Sequence, residues 1–370
     1  MEIYGLIMFR VAMFFLSSTL VLGSWLTQYE LDLLSLNASH FAKNANFSNY
    51  THRNCFIGRG HEVLGNAVST WSKRSKCLYR SMVGRSIVDL SNHWGQLSVE
   101  NFVDAILSRG FTSLHMIGDS VTIQFGHFLG CDLVRLGFDV KPCPRMSTLT
   151  DCNRFGGCEY VHSKNGLGVL MITSSRTSVP CVYMSCTPEM ANKTMTSYFD
   201  KNVKRFIHAN SRPLIVYNDG MHLGLHHAHL AVYIAENLLR LSKLTYETGN
   251  AAIMFRETSR QHFHYSINGL HTVGGNITHN TSSYCCTANV QYGGPYPSDA
   301  IVQEHLYALD PTWRKYLSWI RFHNASDSLR NLHLEMAKNG AIDCTHYMYT
   351  PGISTVLTSS LVEGLVSGLI

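Results

Sequence analysis

The chain has 370 residues, 45 % hydrophobic and only 15 % charged, with a formal net charge of +5. That balance describes an ordinary globular protein with room for one large domain or two small ones around a full core. With no Lys/Arg run and no basic stripe among aromatics, it argues against a nucleic-acid binder.

The first 30 residues stand apart. A single basic residue, Arg10, precedes an apolar run from Val11 to Leu26. That run is shorter than the ~20 residues a bilayer span needs. It suits the core of a signal peptide, with Gly23 and Ser24 as small residues near a cleavage point. With Ile3–Phe9 added and Arg10 snorkelling, it reads equally as an uncleaved anchor. Either reading delivers the rest of the chain to the secretory lumen: a stem over 31–54, then a globular domain over 55–370. Seven N-x-S/T sequons agree with that address, at Asn37, Asn46, Asn49, Asn192, Asn276, Asn280 and Asn324. So do eleven cysteines, which in an oxidising lumen are mostly paired, one being left over. No C-x-x-C pair is present, so disulfides are preferred over zinc.

Within the domain, "FTSLHMIGD" (111–119) reads as a buried strand. "SVTIQFGHFLGCDLVRLG" (120–137) continues the chain with apolar residues at helical spacing. Further strands are predicted at 166–173, 181–185, 213–218 and 251–257, with helices at about 194–209 and 226–243. The stretch 258–300 reads as loop. Helices are predicted again at 300–322 and 326–339, the second capped by Ser326 or Asp327 and stopped by Gly340. In the last segment Ile353, Leu357, Leu361, Leu365 and Leu369 form one stripe, which predicts a helix docked on the core. Strand–helix alternation of this kind predicts an α/β fold with a mainly parallel sheet covered on both faces.

Ser120 lies where a buried strand turns into a helix. There its hydroxyl meets the carboxyl edge of the sheet and its N–H can face an oxyanion. A helix N-cap asks for the same residue types. A nucleophilic serine needs a base and the base an orienting group. "AIDCTHYMYTPG" (341–352) offers both in Asp343 and His346, on a predicted loop after Gly340. "HLGLHHAHL" (222–230) places His222 and His226 at i, i+4. With no H-E-x-x-H and no nearby carboxylate, packed or solvated histidines are the preferred reading, and no metal is assigned. Arg256, Arg260 and His262 in "RETSRQHF" can bind an acidic sugar or acyl donor, or form surface salt links.

Three blocks in order carry a resemblance: Gly118-Asp119-Ser120, "LIVYNDGMHLG" (214–224) and Asp343-Cys344-x-His346. With "FRETSRQHF" (255–263), Gly274-Gly275 and Cys285-Cys286, they resemble the PC-esterase group, especially the trichome birefringence-like polysaccharide O-acetyltransferases. The resemblance spans about residues 110–360. It implies a three-layer α/β/α sandwich of the SGNH hydrolase, flavodoxin-like type. It implies Ser120 as nucleophile, His346 as general base, Asp343 as its orienter and Asn218 as oxyanion donor beside the Ser120 N–H, with Gly118, Asp119, Arg256, His262 and His222 around the cleft; a structural Asn218 capping a turn is the alternative at that position. It also implies that Cys344 bonds Cys285 or Cys286. The activity implied is a lumenal transfer of an acetyl group to a glycan hydroxyl, on a single-pass Golgi membrane protein. Acetyl-CoA or an acetylated intermediate is the co-substrate, and no cofactor is bound. An O-acetyl esterase, or an inactive glycan-binding protein on the same fold, is the alternative. Relatives carry Arg where this chain has Ile123, Pro where it has Arg260, and Cys where it has Met348.

Overall fold

The computed structural model describes residues 99–142, 158–182, 186–207, 212–218, 220, 223, 227, 229–260, 296–326, 333–335, 342–347 and 353–368. The chain forms α1 (Val99–Leu107), β1 (Ser113–Gly118), α2 (Ser120–Arg135), β2 (Val140–Pro142), β3 (Cys158–His162) and β4 (Val169–Arg176). Then come α3 (Pro188–Phe199), β5 (Pro213–Asn218), α4 (Leu230–Thr248), β6 (Ala252–Arg256), α5 (Pro297–Leu309) and β7 (Ser318–Ile320). The last elements are β8 (His333–Glu335), β9 (Ile342–Tyr347) and α6 (Ile353–Gly368).

Seven strands make one sheet in the order β2-β3-β4-β1-β5-β6-β7, and β8-β9 form a separate pair. From β4 to β7 all neighbours are parallel; β2 and β3 add an antiparallel edge. The mainly parallel α/β sheet expected from the sequence is therefore present. β1, β5 and β6 are buried along their whole length. Residues buried on both faces must be apolar on both, so these strands read as continuous runs and not as alternation. Leu114, Met116, Leu214, Val216, Ala252 and Met254 join one core cluster, with residues of α1, α2 and α6. Ile117, Ile215, Tyr217, Ile253 and Phe255 join another, with residues of α3, α4 and α5. His115, also in β1, is a core histidine: its Nδ1 lies 2.8 Å from Thr173 Oγ1 and its ring stacks on Phe206. Burial, with Arg205 adding to it, pulls its pKa down to about 3 and keeps it neutral.

The chain after β1 leaves as α2 on the first face, and the chain after β5 reaches α4 on the second. Adjacent strands whose connections depart to opposite faces define a switch point, where open α/β sheets receive ligands at their carboxyl edge. Ser120 and Asn218 stand on its two sides.

Several predicted elements are revised. "CVYMS" is not a strand at its described residues. Cys181 sits in a turn at φ 69° and is bonded to Cys186 in a disulfide between positions five apart. The predicted helix at 300–322 ends at Leu309, just before Pro311, and the chain re-enters the sheet as β7. Where a helix was predicted over 326–339, β8 pairs with β9, so Asp343 and His346 lie on a strand and not a loop. The docked terminal helix is found: Leu357, Leu361 and Leu365 are fully buried, and α6 packs on α1, α2 and β7. No helix among the described residues is long and apolar enough to cross a membrane, and residues 1–98 lie outside them.

Candidate active site

Gly118 ends β1 against the end of β5. A Cβ there would stand 1.8 Å from the Asn218 carbonyl oxygen and 2.4 Å from Thr122 Oγ1, so only glycine lets the two strand ends close. Its own carbonyl accepts from the Thr177 N–H and hydroxyl at 2.7 and 3.2 Å, which ties down the chain after β4. Asp119 then caps α2. Its Oδ1 accepts from the N–H groups of Val121 and Thr122, both at 3.0 Å, and from the Thr122 hydroxyl at 3.3 Å. Gly118 and Asp119 are buried and build the turn. With the next two N–H groups of the turn taken by Asp119, the Ser120 N–H is left without an acceptor among the described residues.

Ser120 is half-buried, and its Oγ lies 2.7 Å from His346 Nε2, across 226 positions of sequence. A neutral imidazole protonated on Nδ1 accepts the serine proton at that distance. The strand that brings His346 there is irregular. His333 faces Tyr347 but the next residue, Leu334, faces Asp343, so residues 344–346 bulge from the ladder. In a regular strand, residues three apart point to opposite faces; a bulge re-aims side chains, and here it turns His346 toward α2. Asp343 is three residues ahead in β9; its side chain and that of Cys344 lie outside the described residues, as do His222, His226, His262, Cys285 and Cys286.

Asn218 does not stand ready for an oxyanion. Its Nδ2 donates to the Arg256 carbonyl at 2.8 Å and to Thr258 Oγ1 at 3.0 Å, and it is fully buried. With both amide hydrogens engaged, it joins the ends of β5 and β6. Arg256 is equally buried. Its guanidinium lies against the Phe125 and Phe322 rings and donates through Nη2 to Thr122 Oγ1 and Asn218 Oδ1, both at 3.0 Å. Burial lowers its pKa, opposed first by the Asp119 carboxylate and then by Asp299.

Asp299, in the first turn of α5, accepts from the Thr258 N–H at 2.6 Å and from its hydroxyl at 3.0 Å. Burial raises its pKa to about 8 despite those bonds. Gly220 makes room for this group, since a Cβ there would meet Thr258 Oγ1 at 2.1 Å. Thr122, Thr258 and Asp299 carry no sequence signal of their own, because the partners that draw them into the network lie 40 to 134 positions away.

Among the predicted glycan sites, Asn192 on α3 and Asn324 after β7 are exposed; the other five lie outside the described residues. No protein-family model matches this chain, and no curated protein matches it.

Proposed function

We propose that this chain is a serine acyltransferase that moves an acetyl group onto a glycan hydroxyl. The observation that carries the reading is the 2.7 Å contact between Ser120 Oγ and His346 Nε2 at the carboxyl edge of the sheet. A serine and a neutral imidazole in contact at a helix start can form and break an acyl ester. Ser120 Oγ bonds to the donor's acyl carbon while its proton passes to His346 Nε2, and the donor departs with that proton. The sugar hydroxyl then attacks the acyl-serine, losing its proton to His346, and Ser120 is released. The Ser120 N–H, which has no acceptor among the described residues, is proposed to hold the oxyanion. Asp343 is proposed to orient the imidazole from the same strand.

Supporting the glycan acceptor are the resemblance to PC-esterase O-acetyltransferases, the sequons and the amino-terminal apolar run, which together suit a secretory, Golgi-type membrane protein. The strand order β4-β1-β5-β6-β7 is compatible with an SGNH-type three-layer sandwich. Water in place of the sugar turns the same cycle into an esterase.

The test is labelling of the full chain with a serine-directed fluorophosphonate, then incubation with an acetyl donor and a panel of oligosaccharides. Labelling of Ser120 that vanishes in Ser120→Ala, with acetylated sugar formed, is expected. Folded protein that resists labelling overturns the nucleophile. Acetate released with no acetylated sugar assigns the esterase.

A further inference from the structure

Arg256 is a cation with no exposure at all, and cations of that kind are kept only when paired. Its contacts form a directed chain: the Arg256 guanidinium donates to Thr122 Oγ1, and the Thr122 hydroxyl donates to Asp119 Oδ1. The same guanidinium reaches Asn218 Oδ1, and so links the carboxyl ends of β1, β5 and β6 to the first turn of α2.

Asp119 raises a difficulty that this chain of contacts resolves. It is a fully buried carboxylate one residue before Ser120. Negative charge developing on an acyl oxygen at the Ser120 N–H would be opposed by a neighbouring buried carboxylate, in a medium where such repulsion is large. A cation must compensate it. Asp299 acts on that cation only through space, since its two oxygens accept from the Thr258 N–H and hydroxyl, whereas Thr122 ties Asp119 to the guanidinium directly. The open ends of the network are Asp119 Oδ2 and Arg256 Nε, which have no hydrogen-bond partner among the described residues.

We propose that Arg256 is a positioning residue for the nucleophile: it neutralises Asp119 and, through Thr122, fixes the first turn of α2, so that the Ser120 N–H can receive an oxyanion. This rests on Ser120 being the nucleophile. Arg256 touches neither substrate nor Ser120 and acts wholly through Asp119 and Thr122.

The experiment is a charge-swap cycle read by the second-order rate of fluorophosphonate labelling, with melting curves run on each full-length variant. Arg256→Met leaves the Asp119 charge alone and is expected to slow labelling on the order of 30-fold, less than loss of a whole oxyanion donor. Arg256→Lys keeps the charge without the planar fork and falls between, about tenfold slower. Asp119→Asn keeps a competent N-cap without the charge. In the double variant Arg256→Met/Asp119→Asn, labelling should return to within about fivefold of Asp119→Asn alone, since neither charge remains.

A double variant as slow as Arg256→Met overturns the inference, because a mere tether between strands would not be rescued by removing Asp119's charge. So does Arg256→Met labelling at the wild-type rate. If Arg256→Met does not fold, the double variant against Asp119→Asn decides alone. Wild-type protein that resists labelling sinks the nucleophile reading itself, an outcome separate from both.

Discussion

Gln124 holds the main chain of Tyr347 at both ends of its amide. Oε1 accepts from the Tyr347 N–H at 3.2 Å, and Nε2 donates to the Tyr347 carbonyl at 3.4 Å. Gln124 is one helical turn after Ser120, and Tyr347 is the residue after His346. A side chain thus imitates a neighbouring strand and docks β9 on α2 beside the dyad. Tyr347 completes the attachment by stacking on Phe125 and donating its hydroxyl to the Arg260 carbonyl at 3.0 Å.

Gln124→Leu removes both bonds, which costs about 1–3 kcal/mol. The larger effect falls on geometry. Misplacing a base by about 1 Å can cost about a hundredfold, so Ser120 labelling is expected to slow by about 10–100-fold while the melting temperature falls only a few degrees. Equal labelling rates in the two proteins would remove Gln124 from the positioning of His346.

His346→Ala is the sharper cut. The residue is half-buried and on a short bulged pair of strands, so the fold should tolerate it. Positioned general bases contribute about 10²–10⁴-fold, and labelling should drop by that order with little change in melting. A rate within threefold of wild type, roughly 0.7 kcal/mol, would disprove the dyad.

Asp299 makes stability depend on pH. Its folded-state pKa is raised to about 8 from 3.8 by burial. The folded chain therefore holds a proton that the unfolded chain gives up above about pH 4. Stability from this group is complete below about pH 4 and is lost as pH rises toward 8. Asp299→Asn cannot ionise and should flatten that slope, so that its melting curve gains on wild type from pH 5 to pH 8. A slope unchanged by the substitution would place the proton elsewhere.

Gly118→Ala tests the close approach of β1 and β5. The added methyl carbon would fall 1.8 Å from a backbone oxygen that cannot swing aside. Overpacking of that kind costs about 1–3 kcal/mol or more, and the strand ends must part. Both lower melting temperature and slower Ser120 labelling are expected, whereas Gly249→Ala, in open space, should lower melting through its positive φ alone.

The parts of this molecule that a sequence reveals are those with local causes. β1, β5 and β6 are legible because strands buried on both faces must be apolar run after run. Ser120 and His346 are legible because their neighbours, the strand-to-helix turn and the Asp343 spacing, are close in the chain. β7 and β8 are three residues each, too short for any period to register. The "CVYMS" stretch is apolar enough for a strand, but the turn at Cys181 that closes its disulfide breaks the pattern. Asn218 and Arg256 are visible as residues, and their surroundings are not: the partners that engage them belong to other strands and helices. A buried polar group takes its role from those partners, and the chain order does not record them.

Ser120 and His346 are 226 positions apart, and β9 comes after every strand of the main sheet in the chain. Sheets built from such distant pairings fold slowly, and a chain leaving the ribosome orders its amino-terminal part first. During synthesis the serine is therefore displayed for a long interval with no imidazole to accept its proton. The dyad closes only when the carboxyl-terminal strand arrives. Under the proposed function, chemical competence would then double as a readout of that late step, since an immature chain would carry the hydroxyl without its base.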